Sequence, residues 1–163
     1  MNILFAYYSL EGNCRELSTC MAEAVGGDLL EVLPKTQTVR PKGFMRYLEG
    51  GKESLRKDTP ELLPLKKNPV DYELVFFGAP VWAWNMAAPA RSFLTNVDWR
   101  DRRVALFCMH GGGKGGTLGN MRKLVDAAGG SVVAMADFKD LRGGKGDATR
   151  ERAREWAREV VGE

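Results

Sequence analysis

Residues 2–14, Asn2-Ile3-Leu4-Phe5-Ala6-Tyr7-Tyr8-Ser9-Leu10-Glu11-Gly12-Asn13-Cys14, pass from an unbroken apolar run through a short polar loop into a helical pattern. The run Asn2–Tyr8 has no polar alternation, which is the mark of a strand buried on both faces. Asn13–Val25 then places Leu17, Met21, Ala24 and Val25 on one helical face and stops at Gly26-Gly27. A helix that starts directly after a buried strand offers unpaired backbone N–H groups and a positive dipole end, and both favour a phosphate. Gly12 lets the backbone curl around such an anion, while Ser9 and Asn13 add side-chain donors. The same residues also suit an ordinary turn with an asparagine N-cap.

Outward from this unit the strand–helix alternation continues. Strands are predicted at Leu29–Leu33, Glu73–Gly78, Val104–Met109 and Ser131–Phe138, and helices at Ala87–Val97, Leu118–Ala128 and Thr149–Val161. The pattern predicts one α/β domain over residues 1–163, a doubly wound parallel sheet of five strands with helices on both faces. The connection from Pro34 to Pro69 is too long for a bare loop. Within it Gly43–Lys57 spaces Phe44, Tyr47, Leu48 and Leu55 as a helix would, with Gly50-Gly51 predicted to interrupt it.

Bulk properties narrow the classes of function. The net charge of +3 is too small to imply nucleic-acid binding. The charge is concentrated, because Lys35–Asn68 holds nine Lys/Arg against four acids. Three scattered cysteines (Cys14, Cys20, Cys108) and one histidine argue against a zinc site and suit reduced thiols in a cytoplasm. Met1 runs straight into the first strand, so no signal peptide is expected, nor any membrane span.

Two further loops follow strands, and in an open parallel sheet the ligand sits outside the carboxyl ends of the strands. The loop Ala79-Pro80-Val81-Trp82-Ala83-Trp84-Asn85-Met86-Ala87-Ala88 carries two tryptophans, awkward on a surface turn unless they cover something flat. The loop His110-Gly111-Gly112-Gly113-Lys114-Gly115-Gly116-Thr117 contains a formal G-x-G-x-x-G with Asp137 about twenty residues on, as a dinucleotide fingerprint requires. That reading is set aside, because the fingerprint belongs after the first strand, and here the first strand carries the phosphate-loop pattern.

Tyr8-Ser9-Leu10-Glu11-Gly12-Asn13-Cys14 resembles the FMN phosphate loop of the flavodoxin family, Ser/Thr-x-Thr/Ser-Gly-Asn-Thr, with Ser9, Gly12 and Asn13 matching. Glu11 and Cys14 depart from it. Two like unit charges 4 Å apart repel by about 4 kcal/mol at an effective dielectric near 20. Glu11 is therefore expected to turn its carboxylate to solvent. Cys14, at a helix start, is either a reactive thiol or a small stand-in for threonine. Gly78-Ala79-Pro80-Val81-Trp82-Ala83-Trp84 is similar to the Gly-x-Pro-Val-Trp-Ala-Trp segment of one branch of the family.

The resemblance spans essentially the whole chain and implies strand order 2-1-3-4-5 and an FMN site. That site comprises Ser9, Leu10, Glu11, Gly12, Asn13 and Cys14, then Pro80, Val81, Trp82, Ala83 and Trp84, then Met109, His110, Gly111, Gly112, Gly113 and Lys114. Trp82 is the favoured stacking ring. Many flavodoxins place a tyrosine on the ring from the third loop, and Met109 and His110 are the substitutes here. His110 reads either as a proton donor to reduced flavin or as an ordinary loop residue. Lys114 is expected near flavin N1 or merely in solvent.

The implied function is an electron-transfer flavoprotein working between redox partners, as a monomer or homodimer. Two alternatives stand beside it: an NAD(P)H- or quinone-linked FMN oxidoreductase, and a flavodoxin-shaped module without flavin. The slightly basic charge favours the oxidoreductase over the acidic carrier, which docks on basic partners by long-range steering.

Overall fold

The computed structural model describes residues 1–37, 45–142 and 144–162, apart from the side chains of Arg46, Tyr47 and Ser54. In chain order it has β1 (Ile3–Tyr7), α1 (Asn13–Val25), β2 (Asp28–Glu31), α2 (Met45–Leu55), β3 (Leu74–Trp82), β4 (Asn85–Met86), α3 (Ala88–Asn96), β5 (Arg103–His110), α4 (Thr117–Ala127), β6 (Ser131–Lys139) and α5 (Gly146–Val161). The expected alternation is present. Gly43 and Phe44, the first residues of the predicted second helix, lie outside the described residues.

The parallel part of the sheet runs β2-β1-β3-β5-β6, the anticipated doubly wound order. All five residues of β1 are buried, as its apolar run requires. Alternate residues serve opposite faces. Leu4, Ala6 and Tyr8 join Phe77 and Leu106 in a core closed by Phe93 of α3 and Met121 and Val125 of α4. Ile3, Phe5 and Tyr7 join Phe76 and Phe107 in a second core closed by Leu17 and Met21 of α1 and Ala153 and Ala157 of α5. Burying each such aliphatic or aromatic side chain contributes about 1.5–3 kcal/mol, so both helical layers are held by dispersion and hydrophobic burial.

Three sequence expectations are corrected. The sheet has six strands, because β4 adds to β3 antiparallel through Val81–Met86 and Trp82–Asn85. A two-residue strand followed by a helix leaves too little alternation to be seen in sequence. Strand β3 also continues past Gly78 to Trp82, pairing Ala79 with Cys108 and Pro80 with Met109. Beyond Gly78 its other neighbour, β1, has ended, so the missing N–H of Pro80 costs no ladder bond on that side.

Thirdly, Gly50-Gly51 do not interrupt α2, which runs unbroken from Met45 to Leu55. Packing overrides their weak helix propensity. A Cβ on Gly50 would lie 3.0 Å from Trp82 Cδ2, so its bare backbone is what lets the helix rest on the indole. On the same face of the sheet, α3 holds the chain that leaves α2. Ser92 Oγ donates to the Pro60 carbonyl at 2.7 Å, and the buried Arg91 donates to the Asp58 carbonyl at 3.3 Å.

Candidate functional site

The winding direction reverses between β1 and β3, and the loops at the carboxyl ends of β1, β3 and β5 converge there. They enclose a cleft of about 660 Å³, within the range of small-molecule sites. Fifteen of the seventeen residues expected from sequence line it; Gly12 and Lys114 do not. Gly51, Asp140 and Arg142 line it as well, and sequence reasoning missed all three. Asp140 and Arg142 follow β6, at the same carboxyl edge, so the rule that singled out the other loops applies to them too.

In the first loop Gly12 has φ +97°, a left-handed conformation that a side chain would resist. Its N–H donates to Ser9 Oγ at 3.0 Å, and its carbonyl accepts the first helical bond, from Glu16 N–H. No side chain caps the helix, so Asn13 is the first helical residue and not the cap. The N–H groups of Asn13, Cys14 and Arg15 precede the first intrahelical donor, Glu16 N–H, and so have no partner within the helix. Glu11 is exposed at the edge of the cleft. Cys14 is fully buried, and burial pushes its thiol far above the ordinary range, which removes the reactive reading.

The second loop is a tight hairpin. Ala83 (φ +48°) and Trp84 (φ +59°) fill the two central positions between paired Trp82 and Asn85. Positive φ at both positions is the signature of a type I′ turn, normally built from Asn or Gly. Two L-residues with side chains held there store backbone strain, of order 1–3 kcal/mol each. The strain separates the two indoles. Trp82 packs edge-on against Tyr8, with centroids 5.7 Å apart and planes at 86°, and lies under Gly50. Trp84 stands at the rim of the cleft with 74% of its surface exposed.

The third loop is bound to the hairpin. Gly116 N–H donates to the Trp84 carbonyl at 3.1 Å, and Asn120 Nδ2 donates to Asn85 Oδ1 at 3.2 Å. Gly115 sits at φ +53°, and a Cβ there would meet Trp84 Cβ at 2.5 Å. The glycines of this loop therefore serve its contact with the hairpin as well as the cleft.

Charges around the cleft are largely paired. Asp140 accepts from Arg142, whose guanidinium holds the carboxyl below the usual range. Asp137, which sequence reading weighed only as part of a dinucleotide fingerprint, accepts from His110 Nε2 at 2.8 Å and from Lys114 Nζ at 3.2 Å. Lys114 is thus drawn onto β6 and away from the cleft lining. Among the described residues no group of His, Cys, Asp or Glu could hold a metal ion, and no helix is long and apolar enough to cross a membrane.

The family model of flavodoxin matches residues 2–160. The chain belongs to the flavodoxin family. Solved structures resemble it over nearly their whole length. A flavoprotein from Lactobacillus acidophilus NCFM, determined in complex with FMN, is 22% identical, with 91% of this chain and 97% of that one covered and a TM-score of 0.71. A flavoprotein from Bacteroides eggerthii DSM 20697 is 20% identical, with 98% of each chain covered and a TM-score of 0.76. One from Bacteroides uniformis ATCC 8492 is 19% identical, with 95% and 96% covered and a TM-score of 0.77. No curated protein matches the sequence. Within the family's doubly wound sheet, the cleft described above occupies the switch point between β1 and β3.

Proposed function

We propose that the chain binds FMN in this cleft and serves as an electron-transfer flavoprotein. The observation that carries the reading is the convergence of three chemically different walls on one cavity. One wall is a helix start with unpaired N–H groups, the second a tryptophan hairpin, the third a glycine-rich strand end. FMN is a flat aromatic ring joined to a dianionic phosphate, and it calls for these walls together. The phosphate takes the N–H groups of Asn13, Cys14 and Arg15, with Ser9 and Asn13 side chains beside them. Trp84 presents a free face to the ring, whereas Trp82 is committed to Tyr8 and α2. This reverses the preference read from sequence. Met109 to Gly113 line the opposite side. When bound, the flavin supplies the electron-accepting chemistry; the protein binds it, orients it and keeps water from it.

Purified chain is expected to show flavin absorbance, and flavin-stripped protein to bind FMN in a calorimeter far more tightly than riboflavin, which lacks the phosphate. Stripped protein that gives no heat with FMN removes the proposal. Equal affinity for the two flavins removes the role of the α1 start.

A second reading is an NAD(P)H- or quinone-linked oxidoreductase on the same flavin. It is favoured by the positive net charge and the basic stretch Lys35–Asn68, which suit an anionic nucleotide better than docking by an acidic carrier surface. Steady-state oxidation of NADH or NADPH with several acceptors decides between the two. Turnover selects the enzyme, and its absence selects the carrier.

A further inference from the structure

His110 is the only histidine of the chain. It ends β5 where the strand hands over to Gly111-Gly112-Gly113, and it lines the cleft with its side chain only 8% exposed. Nε2 is engaged with Asp137 Oδ2 at 2.8 Å. Nδ1 is buried and has no hydrogen-bond partner. A buried polar atom left unpaired is as costly as a lost hydrogen bond, so an orphan beside a ligand cleft calls for an explanation.

The surroundings settle which nitrogen holds the proton. Asp137 Oδ1 accepts from Lys114 Nζ at 3.2 Å, and its backbone carbonyl accepts from the Arg152 guanidinium. The hydrogen bond to His110, aided by Lys114, keeps the Asp137 carboxyl below the usual range. It is an ionised acceptor with no proton to give. The neighbouring Asp140 is likewise held ionised by Arg142. The Cys108 thiol, two residues back on β5, is pushed up to about 12 by burial and is uncharged. Nε2 must therefore carry the hydrogen that Asp137 accepts, so the tautomer this pairing selects has its lone pair on Nδ1.

We infer that Asp137 is a positioning residue that locks His110 in its Nε2–H form, so that Nδ1 accepts a hydrogen bond from an N–H group of the bound ligand. Resting on the FMN reading, the inference names the partner. Oxidised isoalloxazine carries one ring N–H, the imide at N3 of its pyrimidine portion. An Nδ1 acceptor discriminates for that group and against a carbonyl. The adjoining loop has room to settle around a ligand, because a Cβ on Gly112 or Gly113 would meet nothing within 4 Å.

With one histidine, a long-range ¹H–¹⁵N correlation spectrum of the labelled full chain reports the ring without ambiguity. Before flavin is added, a pyridine-type Nδ1 and a pyrrole-type Nε2 are expected at mildly alkaline pH, and Asp137→Asn is expected to mix the two forms. FMN should move the Nδ1 resonance. The N3-methyl derivative of FMN should leave it in place and bind about tenfold more weakly, on the order of one hydrogen bond. That penalty should shrink in His110→Phe. A protonated Nδ1 in the flavin-free chain, or an unchanged tautomer in Asp137→Asn, overturns the positioning role. Tight FMN binding with an unmoved Nδ1 overturns the hydrogen bond and leaves the FMN reading intact. Failure to bind FMN at all overturns the FMN reading, and the flavin-free spectra still decide the part played by Asp137.

Discussion

The backbone carbonyl of Trp84 accepts a hydrogen bond from Gly116 N–H at 3.1 Å. This bond ties the tip of the β3–β4 hairpin to the loop after β5, two segments that separately form two walls of the cleft. Gly115, at φ +53° and with no space for a Cβ beside Trp84, permits the approach. Gly115→Ala should cost about 1–3 kcal/mol of stability through the left-handed backbone and the clash. It should also weaken FMN binding tenfold or more as the hairpin shifts. Chemical denaturation and calorimetry on the same variant check both, and an unperturbed pair of values contradicts the coupling.

The two glycines of α2 should respond in opposite senses. Replacing glycine by alanine inside a helix gains roughly 0.5–1 kcal/mol. At Gly51 the new Cβ would meet Ala83 Cβ at 3.7 Å, an ordinary contact, so Gly51→Ala should stabilise the chain. At Gly50 it would stand 3.0 Å from the Trp82 ring, so the gain is offset by displacement of the indole. Gly50→Ala should come out less stable than Gly51→Ala in thermal melts and should alter tryptophan fluorescence.

The two indoles should also separate by variant. Trp84 is 74% exposed, so Trp84→Ala should change the stability of the flavin-free protein by less than about 0.5 kcal/mol. Flavin affinity should fall by about 2- to 12-fold, the worth of an aromatic stack. Trp82→Ala should instead cost about 1–3 kcal/mol of stability, since its ring fills the space between Tyr8 and α2. Equal losses of stability in the two variants would refute this division.

Stability should fall at both ends of the pH scale, for opposite reasons. Asp137 and Asp140 have folded-state carboxyl values held below the ordinary value near 4. Their contribution is in place above about pH 4 and is lost as pH falls through the lower folded values. Burial raises the Tyr8 phenol to about 12. Its contribution is complete below about pH 10, the ordinary tyrosine value, and is lost as pH rises toward 12. Urea midpoints across pH should decline in both windows, and Asp137→Asn should flatten the acid limb.

Cys14 and Cys108 are buried, and burial raises both thiols. Iodoacetamide applied to the native chain should leave both unmodified, whereas denatured protein should label at all three cysteines. Rapid native labelling of Cys14 by mass spectrometry would restore the reactive reading.

What the sequence determined by itself was the alternation of elements and the location of the three loops. Apolar runs such as Ile3–Tyr7 and Leu74–Phe77 have no polar alternation, so only a two-sided burial satisfies them, and the right-handed crossover rule leaves few topologies. Chemical types at the strand ends were equally plain: the helix start at Asn13, the two tryptophans, the run of glycines. Tertiary structure decided matters that depend on atoms far apart in the chain. The strand pair in Trp82–Asn85 exists because residues without glycine are forced into a left-handed turn, against local preference. Gly50 is bare within α2 because an indole from β3 occupies the space its side chain would fill. Lys114 turns to Asp137, and His110 leaves one nitrogen unpaired, because β5 and β6 lie side by side; a charge pair separated by more than twenty residues has no local signature in a sequence.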